Sequence, residues 1–156
     1  LRELINLTDN KIKHLNDILD ITSKQKEAIA EQDIDMLSKY VQQKQEHIDI
    51  INELDEKFQI IHESIRDKLQ KDGSRHDTAL SDEEAILYGE FRKKVRDAHY
   101  IVRTIFGLEK ENNENTNKIM EDLKEKIRAI NVGQKGYKAY KSSPTLTDGI
   151  YVDKKR

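Results

Sequence analysis

A heptad pattern over residues 34–69 constrains this chain more than any other feature of its sequence. Apolar side chains recur at both core positions of the heptad, and further apolar residues lie beside them. The core positions hold Ile34, Leu37, Val41, Ile48, Ile51, Phe58, Ile65 and Leu69. This spacing predicts one long amphipathic helix whose apolar stripe is broad enough to contact two other helices. A helix of this kind is not stable alone in water, so other segments must cover it.

The composition favours an elongated helical protein. Of the 156 residues, 37% are charged and 35% are hydrophobic, with one proline, no cysteine and no tryptophan. Disulfides and cysteine-ligated metals are therefore excluded. The formal net charge of -2 gives no indication of nucleic-acid binding, which favours a strongly basic face. There is no apolar run of membrane-spanning length, and charges among the first residues argue against a signal peptide. We expect a cytoplasmic protein without membrane insertion.

Capping signals divide the chain into three helices, over about 2–30, 34–71 and 82–131. Asp33 is placed to cap the second helix, and Ser81 with Glu84 forms a capping box at the start of the third. Between them, residues 72–80 have no helical periodicity and predict a loop. The predicted fold is all-α, an elongated antiparallel three-helix bundle or coiled coil, with a helical domain over 1–131 and a flexible tail over 132–156.

The register of the predicted hairpins leaves part of the third helix without a partner. If the second and third helices are antiparallel and Lys71 lies beside Asp82, then Ile34 lies beside Ile119, because both helices rise about 1.5 Å per residue. The helix beyond this point would overhang the bundle and expose an apolar stripe. This stripe consists of Ile119, Met120, Leu123, Ile127 and Ile130. An open apolar stripe is typical of a binding surface; the alternative is that the helix bends and folds back onto the bundle.

The last 25 residues differ from the helical body in composition and charge. Residues 132–156 contain six lysine or arginine residues and two aspartates, a net charge of +4, which leaves -6 for the body. Three of the six tyrosines, Tyr137, Tyr140 and Tyr151, lie there. Tyrosines in a flexible basic segment can anchor it to a partner. The alternative is a solvated tail without a role.

The sequence gives no indication of catalysis, a metal or a cofactor. None of the five histidines has a glutamate three residues before it, and no two are four residues apart. The helical di-iron and zinc spacings are therefore absent. The many carboxylates fall on helix faces that we expect to be solvated, so we do not expect an enzyme.

Three segments resemble FlgN-type flagellar export chaperones. They are Ile51-Asn52-Glu53-Leu54-Asp55-Glu56-Lys57-Phe58, then Asn117-Lys118-Ile119-Met120, and Tyr151-Val152-Asp153-Lys154-Lys155 near the end. The resemblance implies a cytoplasmic type III secretion chaperone that covers the amphipathic C-terminal helix of hook-associated proteins, which join hook to filament. It also implies delivery of these clients to the flagellar export gate. On this basis the apolar stripe is the candidate client site, and the three tail tyrosines are candidates for contact with the gate.

Two other interpretations use the same surfaces. A structural coiled-coil protein would close the stripe by homodimerisation, and an adaptor would bind an unrelated partner there. A chaperone that is dimeric when empty would also pair the stripe isologously. The oligomeric state alone therefore does not separate these functions.

Overall fold

The computed structural model of the protein is all-α over the residues that it describes, as the sequence predicts. It describes the backbone of residues 1–71 and 81–155 and the side chains of residues 1–67 and 81–141. Helix α1 spans Arg2–Glu31, α2 spans Ile34–Lys71 and α3 spans Asp82–Lys155. The chain divides into two compact units, Leu1–Asn113 and Glu114–Arg156, and α3 contributes residues to both.

The first two helices begin and end within one residue of the bounds that the sequence indicates, but the third is longer. Instead of ending at residue 131, α3 continues to Lys155. Gly133 and Gly136 each disfavour a helix by about 1 kcal/mol relative to alanine, which weakens a helix without stopping its propagation. The flexibility of the segment 132–156 stays a prediction, and the predicted loop over 72–80 lies outside the described residues.

Helices α1 and α2 are joined by two residues with separate roles. Gln32 adopts a left-handed conformation, with φ of 55°. Its N–H donates to the carbonyl of Ile29 at 3.1 Å, and the N–H of Asp33 donates to the carbonyl of Ala28 at 2.9 Å, so the end of α1 is a Schellman motif. The Asp33 carboxylate then accepts from the N–H of Met36 at 3.0 Å. This bond confirms Asp33 as the cap of α2.

A reciprocal pair of hydrogen bonds opens α3. The N–H of Ser81 donates to Glu84 Oε2 at 3.1 Å, and the N–H of Glu84 donates to the Ser81 hydroxyl oxygen at 3.3 Å. The predicted capping box is thus confirmed. Glu84 and its acidic neighbours Asp82 and Glu83 occupy the first turn, where negative charge complements the helix dipole.

Within the unit Leu1–Asn113, contacts between α1 and α2 link late residues of one helix to early residues of the other. Lys11 Nζ lies 2.7 Å from the carboxylate of Asp55. His14, which follows Lys11 in α1, contacts His47, which precedes Asp55 in α2. This order is compatible with the antiparallel arrangement that the sequence predicts.

Within the same unit, successive residues of α3 contact successively earlier residues of α2 but successively later residues of α1. Against α2, Phe91 stacks on Phe58. Glu109, which follows Phe91 in α3, pairs with Lys44, which precedes Phe58 in α2. Against α1, the contacts follow the same sequence direction in both helices. Lys94 lies 2.6 Å from Asp9, and Asn112 donates to the carbonyl of Thr22 at 3.1 Å. Hydrogen bonding to Asp9 raises the pKa of Lys94 above its ordinary 10.5.

Among the described side chains, those of α1 are the most buried, although the heptad pattern made α2 the expected centre. The central cluster consists of Leu15 and Ile18 from α1, Ile51 from α2 and Ala98 from α3. Ile51 is the sole buried residue among the described side chains of α2. Most of the other buried side chains belong to α1, including Leu4, Ile5, Ile21, Ala28 and Ile29.

Two residues that the heptad pattern assigns to the core are exposed instead. Ile34 is 77% exposed and Val41 is 54% exposed, whereas Ile48 and Ile51 pack in or against the core. A straight α-helix has 3.6 residues per turn, so a heptad repeat drifts by about 20° per seven residues. The first core position of these two heptads therefore rotates out of the interface, whereas Leu37 and Lys44 at the second core position stay half-buried.

Polar side chains are accommodated within the core by short hydrogen bonds. The hydroxyls of Thr8 and Thr22 donate to the carbonyls of Leu4 and Ile18 within α1. Asn112, only 4% exposed, connects α3 to α1 through Thr22. These bonds allow α1 to be buried despite its polar sequence, because a buried polar group costs little once it has a partner.

Candidate functional site

The predicted apolar stripe lies in the unit Glu114–Arg156, where most of its side chains are exposed. Ile119 is half-buried. Met120 is 50% exposed, Leu123 44%, Ile127 56% and Ile130 59%. Single exposed apolar residues are common on proteins, whereas several at helical spacing form a contiguous surface.

The spacing of the stripe places its members on one side of α3. Ile119, Leu123, Ile127 and Ile130 follow one another at steps of four, four and three residues, and Met120 lies beside them. Residues at these steps face the same way on a helix. The remaining positions between 121 and 128 are all charged, and Lys124 forms an ion pair with Glu121 at 3.5 Å. An apolar stripe with charged flanks is complementary to the apolar face of another amphipathic helix.

The tail tyrosines occupy the continuation of α3. Tyr137 is 64% exposed and Tyr140 is 74% exposed. They lie three residues apart on the helix, and the Lys141 ammonium is 6.0 Å from the centre of the Tyr137 ring. The side chain of Tyr151 lies outside the described residues. The structure thus places two of the three tyrosines on one exposed helical segment.

A cavity of about 190 Å³ lies among the three helices of the unit Leu1–Asn113. Its walls are mainly apolar and include Leu54, Phe58 and Val102. Two polar residues of its wall form hydrogen bonds with other residues: Thr8 donates to the Leu4 carbonyl, and Lys11 donates to Asp55. The cavity is therefore a partly open apolar groove between the helices rather than a reaction centre.

The structure brings together three polar residues that the sequence analysis did not connect. His14 Nδ1 and His47 Nδ1 are 2.9 Å apart, and Asp17 Oδ2 is 3.8 Å from His47 Nδ1. A glutamate three residues before a histidine and two histidines four residues apart are the spacings of helical metal sites, and this group has neither. An aspartate three residues after His14, with His47 opposite it across the hairpin, is the sequence signal that would have found this group.

Comparison with known proteins and protein families indicates what the chain is similar to. Among the residues that the structure describes, no helix combines the length and the apolarity needed to cross a membrane. No curated protein and no solved structure matches the chain. The family model described as FlgN protein matches residues 1–146. Since this match covers nearly the whole chain, the protein belongs to the FlgN family, whose members act as flagellar export chaperones for hook-associated proteins.

Proposed function

We propose that this protein is a cytoplasmic type III secretion chaperone that binds the amphipathic C-terminal helix of hook-associated proteins and delivers them to the flagellar export gate. The observation that carries the proposal is the exposed stripe of Met120, Leu123, Ile127 and Ile130. The client helix lies along this stripe, with Ile119 at its edge.

Burial of the stripe supplies the driving force for binding. Full burial of a leucine, isoleucine or methionine side chain contributes about 1.5–3 kcal/mol, so a side chain that is half-exposed before binding contributes roughly half of this. Several such residues in one row suffice to hold a helix that presents a matching apolar face. Met120 adds adaptability, because its unbranched side chain can repack against different clients.

Titration of the purified protein with peptides that cover the C-terminal helices of hook-associated proteins tests this function. We expect binding at a ratio of about one to one, with the negative heat-capacity change that accompanies burial of apolar surface. Failure of every such peptide to bind would contradict the client assignment.

The same stripe supports an alternative function in a structural or adaptor coiled-coil protein that homodimerises through it. A stable dimer by sedimentation, together with no binding of any hook-associated peptide, would favour this alternative. A dimer that dissociates when a client peptide is added would instead fit a chaperone that pairs with a second copy when empty.

The tail 132–156 acts after a client is bound, and Tyr137, Tyr140 and Tyr151 contact the export gate. The exposure of the first two and the net positive charge of the segment support this role, since aromatic side chains provide large contact areas at low entropic cost. Replacing Tyr137 and Tyr140 by alanine should leave client binding unchanged and reduce swimming.

The matched control replaces two exposed tyrosines of the first unit, Tyr88 and Tyr100, by alanine. It should leave swimming unchanged. Normal swimming after replacement of all three tail tyrosines would exclude them as contacts with the gate.

A further inference from the structure

Helices α1 and α2 together position three groups that are common ligands of transition metals. His14 and Asp17 lie one turn apart on α1, and His47 approaches them from α2. One ligand atom from each residue can be chosen so that all three lie within 4.8 Å of one another. The two imidazole rings are tilted by 51° relative to each other, with 5.2 Å between their centres. Their Nδ1 atoms face each other.

The distances are close to those of a tetrahedral zinc site. Zinc binds imidazole nitrogen at about 2.0–2.1 Å, and two ligands at the tetrahedral angle are then roughly 3.3 Å apart. The two Nδ1 atoms, at 2.9 Å, need to separate by a few tenths of an ångström. Asp17 Oδ2, at 3.8 Å from His47 Nδ1, needs to approach by a similar amount.

The surroundings permit these small movements and the entry of an ion. The Asp17 side chain is 59% exposed, and that of His47 is 26% exposed. A change of the Asp17 rotamer therefore brings its carboxylate to the ion without disturbing the core. Water can occupy the fourth position of a site with three protein ligands.

We propose that His14, Asp17 and His47 form a binding site for one divalent transition-metal ion of the zinc class. Imidazole nitrogens suit such ions better than they suit magnesium or calcium, which prefer oxygen ligands. The bound ion replaces the contact between the two imidazoles and cross-links α1 to α2. Its role is to stabilise this hairpin, and it is independent of the client stripe.

Thermal unfolding and calorimetric titration with Zn²⁺, on protein without an affinity tag, test the proposal. We expect one ion per chain and a rise in Tm of about 5 °C or more at saturating Zn²⁺, because an ion that binds only the folded state stabilises it. Titration with Co²⁺ should give the visible absorption bands of tetrahedral coordination.

Two variants and one control make the test specific to this site. His47→Gln should abolish the rise in Tm and the Co²⁺ bands. Asp17→Asn, a change at an exposed side chain that leaves the fold intact, should weaken Zn²⁺ binding at least about tenfold. His99→Gln, at an exposed histidine of α3, should bind Zn²⁺ like the unmodified protein. Failure of the unmodified protein to bind Zn²⁺, or equal binding by the Asp17→Asn variant, would overturn the proposal.

Discussion

Replacing Leu123 and Ile127 together by glutamate is expected to weaken binding of a hook-associated client helix by at least about a hundredfold, which corresponds to about 2.7 kcal/mol. Each substitution removes an apolar contact and places a carboxylate where the client would have to remove its water. Both side chains are about half-exposed in the free protein. The thermal unfolding curve should therefore change little, by about 0.5 kcal/mol or less in stability. Calorimetric titration and circular dichroism of the same preparation measure the two effects.

The matched control places the same two charges on another side of the same segment. Ala129 and Val132 are exposed. They lie outside the stripe, because their positions face another side of the helix. The double variant Ala129→Glu/Val132→Glu should retain client affinity within about twofold. Equal loss of affinity in both double variants would indicate a general effect of charge and would remove the stripe as the binding site.

Replacing Ile51 by alanine is expected to destabilise the protein by about 3 kcal/mol, within the range of 2–5 kcal/mol for isoleucine truncation in a core. Ile51 contacts the central cluster of Leu15, Ile18 and Ala98, so the substitution leaves a cavity where all three helices meet. Chemical denaturation followed by circular dichroism gives the change in the free energy of unfolding. At a temperature where the variant is still folded, its client affinity should be unchanged, because Ile51 belongs to the core and not to the stripe.

Ile60 provides the control on the same helix. It is 68% exposed, so Ile60→Ala should change stability by about 0.5 kcal/mol or less. Similar destabilisation by both variants would contradict the assignment of the core.

The local signals in the sequence identified the helix starts correctly because the contacts involved span only three residues. Asp33 and the pair Ser81 and Glu84 cap their helices as predicted. The end of α3 was not identified, since glycines at 133 and 136 lower helix propensity by amounts that an established helix tolerates.

Burial was harder to predict than helicity, because it depends on contacts between helices. A strict heptad assignment placed Ile34 and Val41 in the core, but the drift of a straight helix rotates them outward. The importance of α1 was underestimated for another reason. Thr8 and Thr22 look polar in the sequence, yet their hydroxyls bond within the helix and can be buried.

The two candidate sites were predictable from the sequence to different degrees. Periodicity indicated the stripe, because Leu123, Ile127 and Ile130 repeat at helical spacing. The expected register of α2 and α3 indicated that the stripe would be exposed. The group of His14, Asp17 and His47 required the register between α1 and α2, since 33 residues separate the two histidines in the sequence. No local motif contains both histidines.

The most direct test of the client stripe is hydrogen exchange of the backbone amides, measured by mass spectrometry with and without a saturating client peptide. Burial of the stripe should slow exchange over residues 116–131, because client binding suppresses local opening of the helix there. Exchange over residues 4–30 and 85–108 should change much less. Protection of those core segments with no change over 116–131 would contradict the proposal that clients bind along the stripe.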